Sequence, residues 1–168
     1  KDFWFRSSPE IDQEIRERFS PLYEKAVKGT LDSLMVTPEG SLTLILILDQ
    51  FPRNMFRGTP QAFTSDTQAL HISKTGILKE FDKQLLPLQR LFFYLPFQHS
   101  ESLQDQETSL KLYKDLGNKN ALVYAQDHYN IIKRFNRFPH RNPILGRTST
   151  PEESNYLSQP DSPNFGQK

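Results

Sequence analysis

The sequence predicts an all-α fold of stacked antiparallel helices in one domain, and three observations carry that expectation. Apolar residues recur at helical spacing, as in Ile11, Ile15 and Phe19 and again along Tyr124, His128, Ile131 and Phe135. A Ser or Thr followed by proline, a pair that caps and then opens a helix, recurs along the chain. No alternating apolar and polar segment is bounded by hairpin turns, so helices should follow one another through short connections.

The 168 residues suit a single unit, expected over 1–157, with the Pro-, Ser-, Asn- and Gln-rich tail 158–168 loosely held. The helix starts are Ser8-Pro9, Ser20-Pro21, Thr37-Pro38, Thr59-Pro60 and Thr150-Pro151, the last forming a capping box with Glu153. The run from Leu42 to Leu48 reads as a central helix reaching Gln50 and apolar on most sides. Pro52 is expected to break it into a turn. Further helices are expected near 66–75, 87–95, 101–116 and 120–137, with Asp66 and Asn120 as caps. Gly29, Gly58, Gly76 and Gly117 are expected at helix ends as left-handed residues.

Composition narrows the function classes. Hydrophobic residues make up only 36%, but 13 Phe, 6 Tyr and 1 Trp supply bulk for a core, and a net charge of +1 argues against disorder. The same near-neutral charge argues against a general nucleic-acid partner. No cysteine is present, which excludes thiolate metal sites, disulfides and a cysteine nucleophile. The longest apolar run is far shorter than the ~20 residues of a membrane helix. Phosphate-loop, dinucleotide, zinc-protease and serine-hydrolase signatures are missing, so no cofactor or metal is expected. The expected location is the cytoplasm, and a start at Lys1 leaves room for a cleaved N-terminal segment.

Four polar clusters exceed what a scaffold needs. In the first, Asp49, Gln50, Arg53, Asn54 and Arg57 follow the apolar helix directly. Arg53 and Arg57 stand one helical turn apart and could clamp one anion, or one of them could pair with Asp49 and pin the turn. In the second, His99 and Glu101 precede a helix start rich in acids, and could act as general base and orienting group, serve as two metal ligands, or simply cap that helix. His128, on an apolar stripe, is the third candidate, with a hydrogen-bonded core histidine as the plainer reading. The fourth cluster runs from Lys133 to Thr150 and holds Arg134, Arg137, His140, Arg141, Asn142 and Arg147, with no acidic residue between His128 and Pro151; it could hold phosphate or carboxylate, or its arginines could cap helix ends and pair with Glu101, Asp105 or Asp49. Charge accounting predicts that it folds back over the end of the Leu42–Gln50 helix, bringing Arg134, Arg137 or Arg141 near His99 and Glu101.

Four motifs together resemble the domain-of-unknown-function family 924. They are Asp2-Phe3-Trp4-Phe5, Leu48 to Asn54 with Arg57-Gly58-Thr59-Pro60, Tyr94 to Glu101, and Arg134 to Asn142 with Leu145-Gly146-Arg147. The resemblance implies an all-helical, tetratricopeptide-like stack in mostly bacterial proteins without an established activity, although no 34-residue repeat is visible in the chain. Leu34 stands where the family usually has Trp, and Asn136 where it usually has Gly.

Three functions follow as expectations. The first is binding of an anionic small molecule or acidic peptide by Asp49, Gln50, Arg53, Asn54, Arg57, Arg134, Arg137, Arg141, Asn142 and Arg147. The second is hydrolysis, including phosphoester cleavage, with His99, Glu101, His128 or His140 as catalytic candidates and arginines stabilising charge. The third is an interaction module whose polar residues form only a buried network.

Overall fold

A computed structural model describes residues 8–159 of the chain. Helix α1 (Pro9–Val27) starts as expected, with the Ser8 hydroxyl accepting from the Ile11 N–H at 3.3 Å. Ser20-Pro21 opens nothing: Pro21 lies inside α1, and the Ser20 hydroxyl turns back to the Arg16 carbonyl at 2.6 Å. The apolar stripe through Ile15, Phe19, Leu22 and Tyr23 is packed on both sides of the proline, and that burial overrides the break.

Thr37 caps α2 (Pro38–Ile45), which continues through a π turn (Leu46–Gln50) into α3 (Phe51–Met55). Pro52 therefore does not break the central helix. The ladder widens instead, with the Phe51 N–H reaching back to the Leu46 carbonyl. Nearby carbonyls are satisfied by side chains: the Ser65 hydroxyl donates to Leu48 O at 2.5 Å and Arg53 Nη1 to Asp49 O at 2.6 Å. Thr59-Pro60 opens only a 3-10 turn, Pro60–Phe63.

Helices α4 (Asp66–Leu78), α5 (Pro87–His99), α6 (Leu103–Leu116) and α7 (Lys119–Phe135) pack one on the next. Pro96 sits inside α5, so the helix runs past the expected end and carries His99 on its last turn. Gly76 lies within α4 rather than at its end. A Cβ there would come 2.5 Å from the Phe93 ring, so the glycine serves the close approach of α4 and α5. Gly29, Gly58 and Gly117 do take positive φ. Asn118, not Asn120, caps α7, accepting from the Ala121 N–H at 3.0 Å. The buried face of α7 is Ala125, His128, Ile131 and Ile132, while Tyr124 is exposed at the stripe's edge. Asn136 ends the helix in the left-handed region at φ 55°, a conformation Asn tolerates in place of Gly.

The main core surrounds α2 and the π turn, where Leu44, Ile45, Ile47 and Leu48 meet Phe93, Tyr94 and Tyr113. A smaller core of Ile131, Ile132 and Phe138, with Phe135 and Tyr156, anchors the basic segment and α8 (Pro151–Leu157). Among the described residues every regular element is helical, so the domain is all-α. No described helix is long and apolar enough to cross a membrane. The Asp2–Phe5 motif, and the tail from residue 160 on, lie outside the described residues.

Candidate functional site

The π turn delivers a carboxylate into the protein. Asp49 is fully buried, and its Oδ1 lies 2.7 Å from His99 Nδ1 at the end of α5 and 3.4 Å from Arg53 Nη1. Gln50 Nε2 donates to the other oxygen at 2.5 Å. Arg53 then forks onto Asp66, the first residue of α4, through bonds of 2.8 and 3.0 Å. Asp66 is therefore not a helix cap but the acid that receives Arg53. Burial alone would raise the pKa of Asp49, but the Arg53 charge, and then the charge and hydrogen bond of His99, hold it well below the usual carboxylate range. An ionised Asp49 requires the proton of neutral His99 on Nδ1, which leaves the lone pair on Nε2.

The basic segment closes over this centre. Arg141, on the 3-10 turn Pro139–Arg141, lies between the Phe63 and Phe138 rings, its guanidinium carbon 4.6 and 4.5 Å from their centroids. Arg141 Nη2 donates to the His99 carbonyl at 3.2 Å, while Nη1 approaches Asp66 only to 3.6 Å and Nε has no hydrogen-bond partner among the described residues. His99, His128, His140 and Arg141 line a small cavity of about 40 Å³. It adjoins an open cleft of about 470 Å³ through the shared walls Phe63, His99 and Arg141. The outer cleft adds the hydroxyls of Thr64, Thr67 and Ser100, the carboxylates of Asp66 and Glu101, and apolar walls at Leu70 and Leu145.

A model of the family described as bacterial proteins of unknown function, DUF924, matches residues 1–161. The chain belongs to the DUF924 family. A solved structure of a protein of unknown function, ATU0120 from Agrobacterium tumefaciens, is similar to it at 39% identity and a TM-score of 0.90, covering 94% of this chain and 89% of that one. Comparison with curated proteins gives no match.

In this DUF924 chain the three histidines are held neutral. Burial, and then the Arg53 charge, lower His99 against the opposing pull of Asp49. Burial pushes His128 and His140 down to about 3, His128 further so whenever its neighbour His99 is protonated, and His140 by the Arg141 charge. His128 Nδ1 lies 2.8 Å from the Tyr124 carbonyl, which places its proton there. Burial, and then Arg53, lower Arg141 to about 10, the mark of a cation whose charge is only partly matched. Among the described residues no group of three or more His, Asp or Glu is arranged to hold a metal ion.

Several expected partners do not converge on the cleft. Arg53 and Arg57 do not share an anion, because Arg57 turns to α1 and forks onto Asp12 at 2.7 and 3.0 Å. Glu101 does not orient His99; it accepts two bonds from Arg147, at 2.7 and 3.0 Å, and one from the Phe138 N–H at 2.8 Å. The longer reach of α5 explains the difference, since it brings His99 to Asp49 before the chain turns. Arg134 and Arg137 stay with α8, on Glu152 and Glu153, and Asn142 Nδ2 meets Ser149 and Glu153. Asn54 is half-buried on α3 and lines neither cavity. Two contributors escaped the sequence reading. Phe63 gives no signal in a short turn, whereas Asp66, an acid with no basic neighbour in sequence, could have been matched to the acid-free segment by charge.

Proposed function

We propose that the protein binds a small anionic molecule in the cleft, with Arg141 as the residue that holds the anion. One observation carries this reading. Arg141 is buried on the wall of both cavities, yet among the described residues its guanidinium makes one hydrogen bond, and Asp66 lies beyond hydrogen-bond length from it. Asp66 is committed to Arg53 through two bonds, so it leaves Arg141 undercompensated. A phosphate or carboxylate entering the cleft would complete the guanidinium's hydrogen bonding where water competes little. The two aromatic faces keep the group flat and in place, so little ordering is required on binding.

The volume of about 470 Å³ falls among small-molecule pockets, typically about 300–1,000 Å³, and favours a compact ligand over an acidic peptide. The succession of α4 to α7 supports a scaffold of the tetratricopeptide-like kind for this cleft. The test is thermal unfolding with phosphate or chloride at equal ionic strength. Phosphate should raise the melting temperature of the wild type and leave Arg141→Gln unmoved. Equal shifts in both proteins, or none in the wild type, would overturn the assignment.

A further inference from the structure

We propose that the cleft hydrolyses small phosphate monoesters, with His99 as the general base and Asp49 as the residue that positions it. This rests on the reading that Arg141 holds the anion. The dyad is built as a base requires. Nδ1 of His99 is bound to a carboxylate without solvent contact, at 2.7 Å, and among the described residues no hydrogen bond is made at the opposite edge of the ring. The His99 side chain retains 14% exposure and lines both the inner cavity and the outer cleft.

The arrangement exceeds what stability asks. Arg53 already neutralises part of the Asp49 charge, and a neutral imidazole gains only one hydrogen bond from a buried carboxylate. The pairing becomes strong only when the ring acquires positive charge, which happens when Nε2 accepts a proton. Arg141 is tied to the same helix end through its bond to the His99 carbonyl, so anion holder and base are registered by one backbone group. On the outer wall the Ser100 hydroxyl is given to Asp105 and that of Thr64 to the Pro60 carbonyl, so the exposed Thr67 hydroxyl is the one left to meet a phosphoryl oxygen.

In the reaction, Nε2 of His99 takes a proton from a water whose oxygen forms the new bond to phosphorus. The bond from phosphorus to the ester oxygen breaks on the opposite side of phosphorus, and that oxygen takes a proton from solvent water in the open cleft and leaves as the alcohol, while Nε2 releases its proton to solvent. Inorganic phosphate remains on Arg141, and His99 returns neutral. With inorganic phosphate itself as substrate the leaving group is water, so the same step exchanges oxygen between phosphate and solvent. The substrate's alcohol then need not be known.

The experiment follows loss of oxygen-18 from fully labelled inorganic phosphate in ordinary water, by mass spectrometry. The wild type should exchange at least on the order of 100-fold faster than His99→Gln, a typical contribution of a general base. His99→Gln should keep the phosphate-induced rise in melting temperature. If phosphate stabilises both proteins and the wild type exchanges no faster than His99→Gln, the hydrolytic proposal fails and anion binding stands. Absence of phosphate stabilisation in the wild type defeats anion binding and the hydrolysis that rests on it.

Asp49→Asn separates positioning from support. The groups facing His99 are Asp49, Arg53, Asp66, His128 and Arg141, and of these the Asp49 charge is the largest that favours ring protonation. Exchange in the wild type should rise with pH as His99 deprotonates and then level off. In Asp49→Asn the plateau should fall and the rising limb move to lower pH; an unmoved limb would show a merely structural aspartate. Should that variant fail to fold, His99→Gln still decides the proposal.

Discussion

The arginine-rich segment after α7 divides into two halves that use the same side chain differently. In one half Arg137 forks onto Glu153 at 2.6 and 2.7 Å and also reaches the Thr148 carbonyl, while Arg134 takes Glu152. Glu153 doubles as the N3 residue of the α8 capping box, closing onto the Thr150 N–H at 2.7 Å. That half is a saturated clamp, and its acids come from the helix that follows. In the other half Arg147 forks onto distant Glu101, but Arg141 meets Asp66 only at 3.6 Å, shares it with Arg53, and among the described residues keeps an unfilled donor, Nε, in the wall of a cleft. An arginine with an acid of its own completes itself, near in sequence or far, whereas two arginines converging on one acid leave an imbalance that a ligand can fill.

The largest expected effect lies at the centre of the cleft half. Asp49→Ala should destabilise the protein by about 2–4 kcal/mol, because it strips a buried carboxylate from Arg53, His99 and Gln50 at once. Urea unfolding at neutral pH measures it. A variant as stable as wild type would mean that Arg53 and His99 find other partners, and the contrast between the halves would lose its buried anchor.

In the clamp half, Glu153→Ala should cost about 1–2 kcal/mol, the range of a lost helix cap with its charged bonds. The damage should stay local, so limited proteolysis ought to cut near α8 while phosphate still stabilises the remainder. Loss of phosphate stabilisation in this variant would show that the halves are coupled through Asn142.

What the sequence made legible follows the same division. Helix starts with a local cap could be read directly, since Thr150, Pro151 and Glu153 lie within four positions of one another. The convergence of the basic segment on the end of the central helix followed from charge, but not which arginine arrives. Arg137 and Arg141 look alike in sequence, and the choice between them depends on how the 3-10 turn and Phe138 seat in the small core. Nearness in the chain points to Glu101 as the partner of His99. The π turn and the proline-containing end of α5, neither legible from propensity, instead bring Asp49 there. Both departures surround prolines, and side-chain donors from elsewhere reach the nearby carbonyls, Ser65 and Arg53 before Pro52 and Ser73 and Tyr113 before Pro96, which no local rule could foresee.

Acid separates the halves more gently. An unfolded histidine has a pKa near 6.5, and burial pushes His128 down to about 3 in the fold. Between these values the unfolded chain binds a proton that the folded chain refuses, so stability falls as pH drops through that window and is flat above it. At pH 5.5 the loss should be on the order of 1 kcal/mol from His128 alone. The carboxyl of Glu153, held down to about 2 by its bonds from Arg137, contributes no loss until the pH approaches the ordinary glutamate value near 4.3. Urea unfolding at pH 7.5 and 5.5 should therefore show a decline that shrinks in His128→Gln and persists in Glu153→Ala. A decline of equal size in His128→Gln would place the proton-refusing group elsewhere.

The smallest effect is the one that discriminates best between the two arginines. Phosphate at a concentration equal to its Kd stabilises by only about 0.4 kcal/mol, or roughly 1–2 °C in a domain of this size. If the halves differ as their bonding shows, Arg137→Ala keeps that shift, since its donors were already engaged by Glu153 and Thr148. Arg141→Gln loses it, because the donors facing the cleft are gone while Asp66 retains its two bonds from Arg53. Raising phosphate tenfold should enlarge the difference to about 1.4 kcal/mol rather than saturate it, as mass action on one site requires. Identical responses of the two variants would mean that phosphate acts on the general positive field of the segment, and its two halves would then be one.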